Sequence, residues 1–203
     1  MRRHCFSFLL LASFFVAASA QALMLDVSGQ NFPGDATATI TLTYDGTDTL
    51  TVEIENTADA GALTAAFVTG FAFNVPADVT GVSAFSASGT LDDAEWSELF
   101  PPGNAPGGYD FEGGAGTGNN IAGGTPNDGF GIGTTATFTF TFTGSNLNLL
   151  TEADFVGEFV SGAGGDADFG VRFQGIPVGA GSDFAVHTVP APGAAALLAP
   201  ALL

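Results

Sequence analysis

Threonine alternates with large apolar residues in several stretches of this chain, and this pattern restricts the fold more than any other feature. Phe138, Phe140 and Phe142 alternate with four threonines over residues 137–143. Successive side chains of a β-strand point to opposite faces of the sheet. The stretch therefore predicts a strand with phenyl rings on one face and hydroxyl groups on the other.

Residues 37–55 carry the same alternation on both sides of a turn-like segment, and we expect a β-hairpin there. Ile40, Leu42, Val52 and Ile54 should face the core, whereas Thr39, Thr41, Glu53 and Glu55 should face solvent. Asp45-Gly46-Thr47-Asp48 separates the two runs, and Asp and Gly are favoured in turns. Because a slip of one residue would reverse every side chain, the pattern predicts the register as well as the strands.

Shorter patterns of the same kind predict further strands. They cover residues 67–75, 79–85, 169–174 and 185–189, with weaker signals at 109–112 and 130–132. Helical signals are few: residues 91–100 carry Trp96, Leu99 and Phe100 at helical spacing, and residues 150–155 contain Thr151 as a candidate N-cap. Residues 101–133 are rich in Gly, Pro and Asn, which indicates a long loop region with one or two short strands.

Many short strands with one apolar face predict an all-β fold in which apolar faces pack together. We expect a two-sheet antiparallel β-sandwich, jelly-roll or immunoglobulin-like, as a single domain over residues 21–188. Phenylalanine dominates the large apolar residues, with 20 in the chain, so the layer between the sheets should be rich in phenyl rings. A closed barrel is the alternative.

Residues 1–20 have the three parts of a cleavable secretory signal peptide. Arg2 and Arg3 form a basic start, residues 5–16 are apolar, and Ala18-Ser19-Ala20 is a small-x-small cleavage site. The apolar part is shorter than the about 20 residues that a membrane-spanning helix needs. We therefore expect an exported protein whose mature form begins at Gln21 or Leu23.

Basic residues are nearly missing from the chain after this signal. Arg172 is the only strong base there, and all 21 acidic residues lie after residue 20, which gives a formal charge of −20. Binding to nucleic acid or to an anionic membrane needs clustered Lys and Arg, so the domain should have neither partner. Arg172 should face outward and pair with a neighbouring carboxylate; a role in holding an anionic ligand stays open.

Few catalytic arrangements are available to this composition. The chain has no Lys and its one Cys lies in the signal, while a Ser-His-Asp triad would depend on His187, close to the C-terminal tail. Asp92, Asp93, Glu95 and Glu98 beside Trp96 could supply the carboxylate pair of a glycoside hydrolase. A solvated acidic face with Trp96 in the core is the favoured interpretation, so we predict no catalytic residues and no enzyme.

Calcium is the best metal hypothesis, because calcium takes carboxylate and carbonyl oxygens as ligands. Asp166 and Asp168 lie in a Gly-rich stretch that offers such oxygens, although turn chemistry explains the same residues. No other cofactor is expected. Trp96 and Tyr109, with the loops of residues 101–133, form a candidate aromatic platform for a polysaccharide.

The C-terminal residues 189–203 have the layout of a sorting tail. Val189-Pro190-Ala191-Pro192 precedes an apolar run of 11 residues, Gly193 to Leu203. This tail resembles the PEP-CTERM family of bacterial surface proteins, in which Val-Pro-x-Pro, a membrane-spanning helix and a basic cluster are recognised by an exosortase. Ala191 stands where Glu is commonest, the apolar run is about half a span, and no basic cluster follows, so the tail is either truncated or degenerate.

The resemblance implies a Thr-, Gly- and Phe-rich β-domain at the cell surface or in the extracellular matrix, processed by an exosortase-type enzyme and contacting a membrane only through a complete tail. Tyr44 to Val52 and Val171 to Gly175 look like segments of that family. We predict an exported structural or interaction protein of unknown ligand. A carbohydrate-binding module is the alternative, and a hydrolase with a carboxylate pair is the third hypothesis.

Overall fold

The computed structural model describes residues 21–89, 95–103, 105–177 and 181–188. The proposed signal peptide and sorting motif, together with Asp92 and Asp93, lie outside these described residues. The strands are β1 (Leu23–Gly29), β2 (Thr37–Tyr44), β3 (Thr49–Asn56), β4 (Phe67–Phe73), β5 (Val79–Gly89), β6 (Ser97–Leu99), β7 (Gly113–Gly116), β8 (Thr135–Gly144), β9 (Val160–Gly162), β10 (Gly165–Gln174) and β11 (Ser182–Thr188). Short 3₁₀ helices cover Pro126–Asp128, Leu147–Leu149 and Glu152–Phe155.

In the described part of the chain, these strands form one antiparallel sheet that is nearly closed, like a barrel. The order is β5-β8-β3-β2-β1-β11-β10-β4-β7-β6, with β9 beside β10. Strand β1 pairs with β2 over six positions but with β11 only at Ser28 and Gly29. This short junction joins two halves of the sheet, which we call the first half (β5 to β1) and the second half (β11 to β6).

The hairpin predicted for residues 37–55 is confirmed, including its register. Ile40 pairs with Ile54 and Leu42 with Val52, and all four side chains are buried. Glu53 and Glu55 are exposed on the opposite face, where Thr39 and Thr41 are partly exposed. The alternation was sufficient here because β-strand side chains have a period of two whatever the rest of the fold does.

Phenylalanine rings fill the space enclosed by the sheet. Phe138 and Phe140 of β8 are buried with Phe71 and Phe73 of β4, and the ring centroids of Phe71 and Phe138 are 4.7 Å apart. Since β8 belongs to the first half and β4 to the second, these rings join the two halves across the core. The phenylalanine-rich layer expected from the sequence is therefore present, inside one continuous hydrogen-bonded sheet.

A second, smaller apolar cluster, which we call the outer cluster, covers the outer face of the second half. Tyr109, Phe111 and Ile121 come from the chain on either side of β7, and they pack with Phe184 and Val186 of β11. The strands beneath are rich in small residues: a Cβ atom placed on Gly170 would lie 2.6 Å from Cε1 of Phe184. This face of β10 and β4 is thus buried by loop residues, so both faces of the second half are covered.

Some elements differ from the sequence-based expectations. Residues 97–99 form strand β6, not the end of a helix, because they pair with β7. Strand β7 begins at Gly113, just after the predicted segment 109–112, and Phe130 makes only an isolated bridge to Val68. Leu25 and Val27 alternate with exposed residues, a signal that would have predicted β1.

The described residues include no helix with the length and apolar character needed to cross a membrane.

Candidate functional site

A cleft of about 420 Å³ lies where the sheet fails to close, and we call it the seam cleft. Its lining combines residues next to both edge strands: Val75, Pro76, Ala77 and Val79 at the start of β5, Phe100 and Pro101 just after β6, and Asp110, Phe111 and Glu112 just before β7. The first and last strands of the sheet order, β5 and β6, thus meet at this opening. The cleft follows directly from the incomplete closure of the sheet.

Backbone hydrogen bonds fix the walls of the seam cleft. The Val79 N–H donates to the Pro76 carbonyl at 2.9 Å, which closes the turn between β4 and β5. The Glu112 N–H donates to the Phe73 carbonyl at 3.3 Å and thereby ties the opposite wall to the end of β4. Both walls therefore depend on the same strand, which lies in the middle of the second half.

The chemistry of the seam cleft combines an apolar floor with two carboxylates. Asp110 and Glu112 are exposed and flank the buried Phe111, while Phe100 is partly buried against the main core. Ionised carboxylates are pure hydrogen-bond acceptors, and a phenyl ring offers a flat apolar face. The cleft is thus suited to a ligand that has both an apolar face and hydroxyl or cationic donors.

The seam-cleft residues were not singled out from the sequence. Asp110 and Glu112 alternate around Phe111, which predicts a strand-like segment with both acids on one face. The same pattern occurs at other exposed acids, such as Glu53 and Glu55, so it does not by itself mark a cleft. Phe100 comes next to this pair through the pairing of β6 with β7, in which Leu99 lies opposite Gly114.

The two aromatic residues proposed as a ligand platform are both buried. Trp96 is 5% exposed, its centroid lies 4.6 Å from that of Phe138, and its indole N–H donates to the Asp128 carbonyl at 3.1 Å. Tyr109 is fully buried, and its hydroxyl accepts hydrogen bonds from Gln30 Nε2 at 2.8 Å and from the Gly164 N–H at 3.0 Å. In this structure neither ring offers a face to a ligand, because each is packed on other aromatic rings.

The two aspartates proposed for calcium have separate partners. Asp166 is exposed and accepts a hydrogen bond from the Ser161 hydroxyl at 2.6 Å. Asp168 is buried and lies 2.7 Å from Nδ1 of His187. Within the described ranges, no group of three or more His, Cys, Asp or Glu residues is arranged to hold a metal ion, so a calcium site here would depend on carbonyl oxygens.

A β-bulge produces the contact between Asp168 and His187. Ala167 pairs with Thr188 and Phe169 with His187, which leaves Asp168 as the extra residue of β10. Burial raises the pKa of Asp168, while the hydrogen bond and charge of His187 act in the opposite direction. The pair holds the end of β11 against β10, because His187 directly precedes Thr188, the last residue of β11.

Arg172 does not have the partner expected from the sequence. Its side chain is half-buried, and it forms no ion pair with any carboxylate of the described residues. Among the acids near Trp96, Glu95 and Glu98 are exposed, consistent with a solvated acidic face.

The sequence matches no protein-family model. Comparisons with curated proteins and with solved structures also find no match.

Proposed function

We propose that the chain is an exported structural or interaction protein of the cell surface or extracellular matrix. Residues 1–20 act as a cleaved signal peptide, and residues 189–203 are recognised by an exosortase-type enzyme. The position of β11 supports this proposal: it ends at Thr188, and Val189-Pro190-Ala191-Pro192 follows without a linker. An enzyme acting beyond Thr188 would leave every described strand intact.

We also infer that the nearly closed sheet works as a two-layer sandwich, jelly-roll or immunoglobulin-like in its packing. The narrow β1–β11 junction and the rings that face each other from β4 and β8 support this description. Phenyl rings from β4 and β8 pack against each other at the centre of this domain. A domain packed in this way suits a structural or adhesive role.

The sorting proposal is tested by expressing the full chain in a bacterium with an exosortase-type enzyme and in the same strain without it. We expect a smaller, surface-associated form only in the first strain, seen by fractionation and mass spectrometry. The double variant Pro190→Ala/Pro192→Ala should prevent the size change, whereas Pro33→Ala, at an exposed position, should leave it unchanged. Identical size and location in both strains would contradict the proposal.

The seam cleft favours a second candidate function, the binding of a polysaccharide. Sugar rings have apolar faces that stack on aromatic rings and hydroxyl groups that donate to carboxylates. Phe100 supplies the aromatic face, and Asp110 and Glu112 supply the acceptors.

The polysaccharide candidate is tested by affinity electrophoresis in gels that contain polysaccharide purified from the producing culture. We expect Asp110→Asn/Glu112→Gln to lose most of the retardation that the unmodified chain shows. The control Glu53→Gln/Glu55→Gln removes the same two charges from the exposed face of the hairpin and should be retarded normally. Equal mobility of all three proteins in gels with and without polysaccharide would exclude the seam cleft as the binding site.

A further inference from the structure

Strand β5 is the longest edge strand of the described sheet. It has 11 residues and one neighbour, β8. In the described part of the chain, only β6 and β9 also have a single neighbour; each of them has three residues, and β6 carries Glu98. Native proteins usually protect an exposed edge by shortness, by charged side chains or by proline. Strand β5 lacks all three protections, because residues 79–89 include no charged residue and no proline.

Bulges disturb only the first half of β5. The register with β8 shifts twice, which leaves Thr80 and Ser83 as extra residues. Their hydroxyl groups donate to carbonyls of β8 at 3.1 and 3.0 Å. From Ala84 to Gly89 each residue has its partner on β8 without a further shift. Since bulges turn an edge away from other strands, the regular part of this edge is residues 84–89, which we call the free-edge segment.

About half of the backbone groups of the free-edge segment point away from β8. In an antiparallel ladder, successive residues direct their N–H and C=O groups alternately to one side of the strand and to the other. Among the described residues, the segment makes no backbone hydrogen bond outside its ladder with β8. Ala84, Ser86, Ser88 and Gly89 are exposed. The outward N–H and C=O groups are therefore available to another strand.

An apolar side chain also lies at this edge. Phe85 packs on the main core, and its ring centroid is 5.1 Å from that of Phe140 and 6.5 Å from that of Phe138. It is nevertheless only partly buried, because no described strand continues the sheet beyond β5. A strand added at the free-edge segment would thus bury more of this ring, in addition to using the backbone groups.

Charge and side-chain size favour a second copy of the chain as the partner of this segment. The chain has a formal net charge of −18, so two copies repel each other wherever acidic surfaces meet. The free-edge segment is uncharged, and the nearest acids in sequence are Asp78 and Asp92, so a contact there brings few carboxylates together. An uncharged edge also gives a charged foreign strand nothing to pair with. The exposed side chains of Ala84, Ser86 and Ser88 are small, so an identical strand can lie beside them.

We propose that two copies of the chain form a dimer in which their free-edge segments pair as antiparallel strands. A two-fold axis through the contact at Ser86 places Ser86 opposite itself and Phe85 opposite Ala87 of the second copy. The same segment serves both copies, so the contact closes at two chains. The remaining single-neighbour strands of the described residues, β6 and β9, are too short to extend the assembly. Because one strand pair buries little area, the dimer is weak and depends on concentration.

The dimer is tested by sedimentation velocity of the full chain over a concentration series, with a reductant present because Cys5 can form a disulfide. We expect a shift from monomer to dimer as the concentration rises. Ser86→Lys and Ser86→Glu each place like charges opposite one another and should stay monomeric, whereas their equimolar mixture should dimerise again. The controls Thr139→Lys and Thr139→Glu change the residue that pairs with Ser86 on β8, one strand from the edge, and should dimerise normally.

Hydrogen exchange of the unmodified chain tests the same contact without any substitution. Amide exchange within residues 84–89 should slow as the concentration rises, while exchange in the β2–β3 hairpin should not change. A monomer at every concentration, an equal dimer in both Ser86 variants, or assemblies that grow beyond two chains would overturn the proposal. Dimers that form without slower exchange in the free-edge segment would also overturn it, because the contact would then lie elsewhere.

Discussion

Phe140 lies in the core between the two halves of the sheet, and its environment explains why single residues matter there. It is 1% exposed, and its ring centroid lies 5.5 Å from that of Phe73 on the facing half and 5.1 Å from that of Phe85 on the neighbouring strand. Offset and edge-to-face pairs of this kind contribute beyond their buried area. Thr139, the next residue, points to the opposite, partly exposed face.

We expect Phe140→Ala to lower the free energy of unfolding by about 3–5 kcal/mol, because it removes a buried ring and leaves a cavity. Thr139→Ala should change it by well under about 1 kcal/mol, since surface substitutions usually have small effects. Urea denaturation followed by tryptophan fluorescence is suitable, because the one Trp is packed in this core. Small, equal effects of both substitutions would mean that β8 does not contribute its phenyl rings to the core.

At the scale of elements, the β2–β3 turn is held by one carboxylate. Oδ1 of Asp45 accepts hydrogen bonds from the backbone N–H groups of Thr47, Asp48 and Thr49 at 2.8–3.0 Å. Burial is the largest single effect and raises the pKa of Asp45, but the backbone bonds together outweigh it and hold the pKa below its usual 3.8. The turn therefore prefers the ionised form of Asp45.

This preference predicts a pH dependence at the turn. Because the pKa of Asp45 is lower in the folded state, the carboxylate stabilises the fold above pH 3.8, and this stabilisation is lost as the pH falls through the lowered pKa. At neutral pH the unmodified chain should have a higher urea midpoint than Asp45→Asn, and the difference should disappear in acid. A difference that stays constant from neutral pH to pH 2 would contradict this role.

The outer face of the second half needs a residue without a side chain at Gly170, where the outer cluster packs on the sheet. Gly170→Ala should destabilise the domain, because the added methyl group would overlap the ring of Phe184, which is packed in the outer cluster. Gly131→Ala is the control: the nearest atom to its methyl group would be 3.6 Å away, so its unfolding midpoint should be unchanged or slightly raised. Thermal unfolding followed by circular dichroism compares the two; equal midpoints would show that the cluster can rearrange around a methyl group.

A comparison of the strands shows which parts of the fold can be predicted from the sequence. Strands β2, β3 and β8 could be predicted because the alternation of Thr with Ile, Leu or Phe is a local property. Strand β7 has the sequence Gly-Gly-Ala-Gly and carries no side-chain pattern, so only its pairing with β4 defines it. Trp96 and Tyr109 could equally have been surface aromatics, since their burial depends on partners such as Phe138 and Gln30, which are distant in sequence.

For the molecule as a whole, the joining of the two halves of the sheet depends on the strands that are most distant in sequence. Strand β1 begins at Leu23 and its partner β11 ends at Thr188. Pairings of such high sequence separation cost loop-closure entropy before they are rewarded by contacts. This is also why the two-sheet expectation differs from the single sheet observed: whether β1 joins the two halves is a question of long-range pairing, on which local alternation has no bearing.

A chain that ends at Gly175 lacks β11 and should not fold cooperatively. The loss would leave β10 and β1 each with an unpaired edge and would remove Ala185 from the core and Phe184 from the outer cluster. We expect broad unfolding transitions and rapid amide exchange throughout β1, measured by hydrogen exchange with mass spectrometry. Slow exchange in β1 of the shortened chain would show that the first half is stable alone.

The pairing of β1 with β11 also has a consequence for how the protein is made. A ribosome or a translocation channel releases a chain from its N-terminus onward, and β1 is therefore available long before β11 has emerged. Until that last strand appears, the two halves lack their only described hydrogen-bonded junction. The two halves can therefore be joined only after nearly the entire domain has been synthesised.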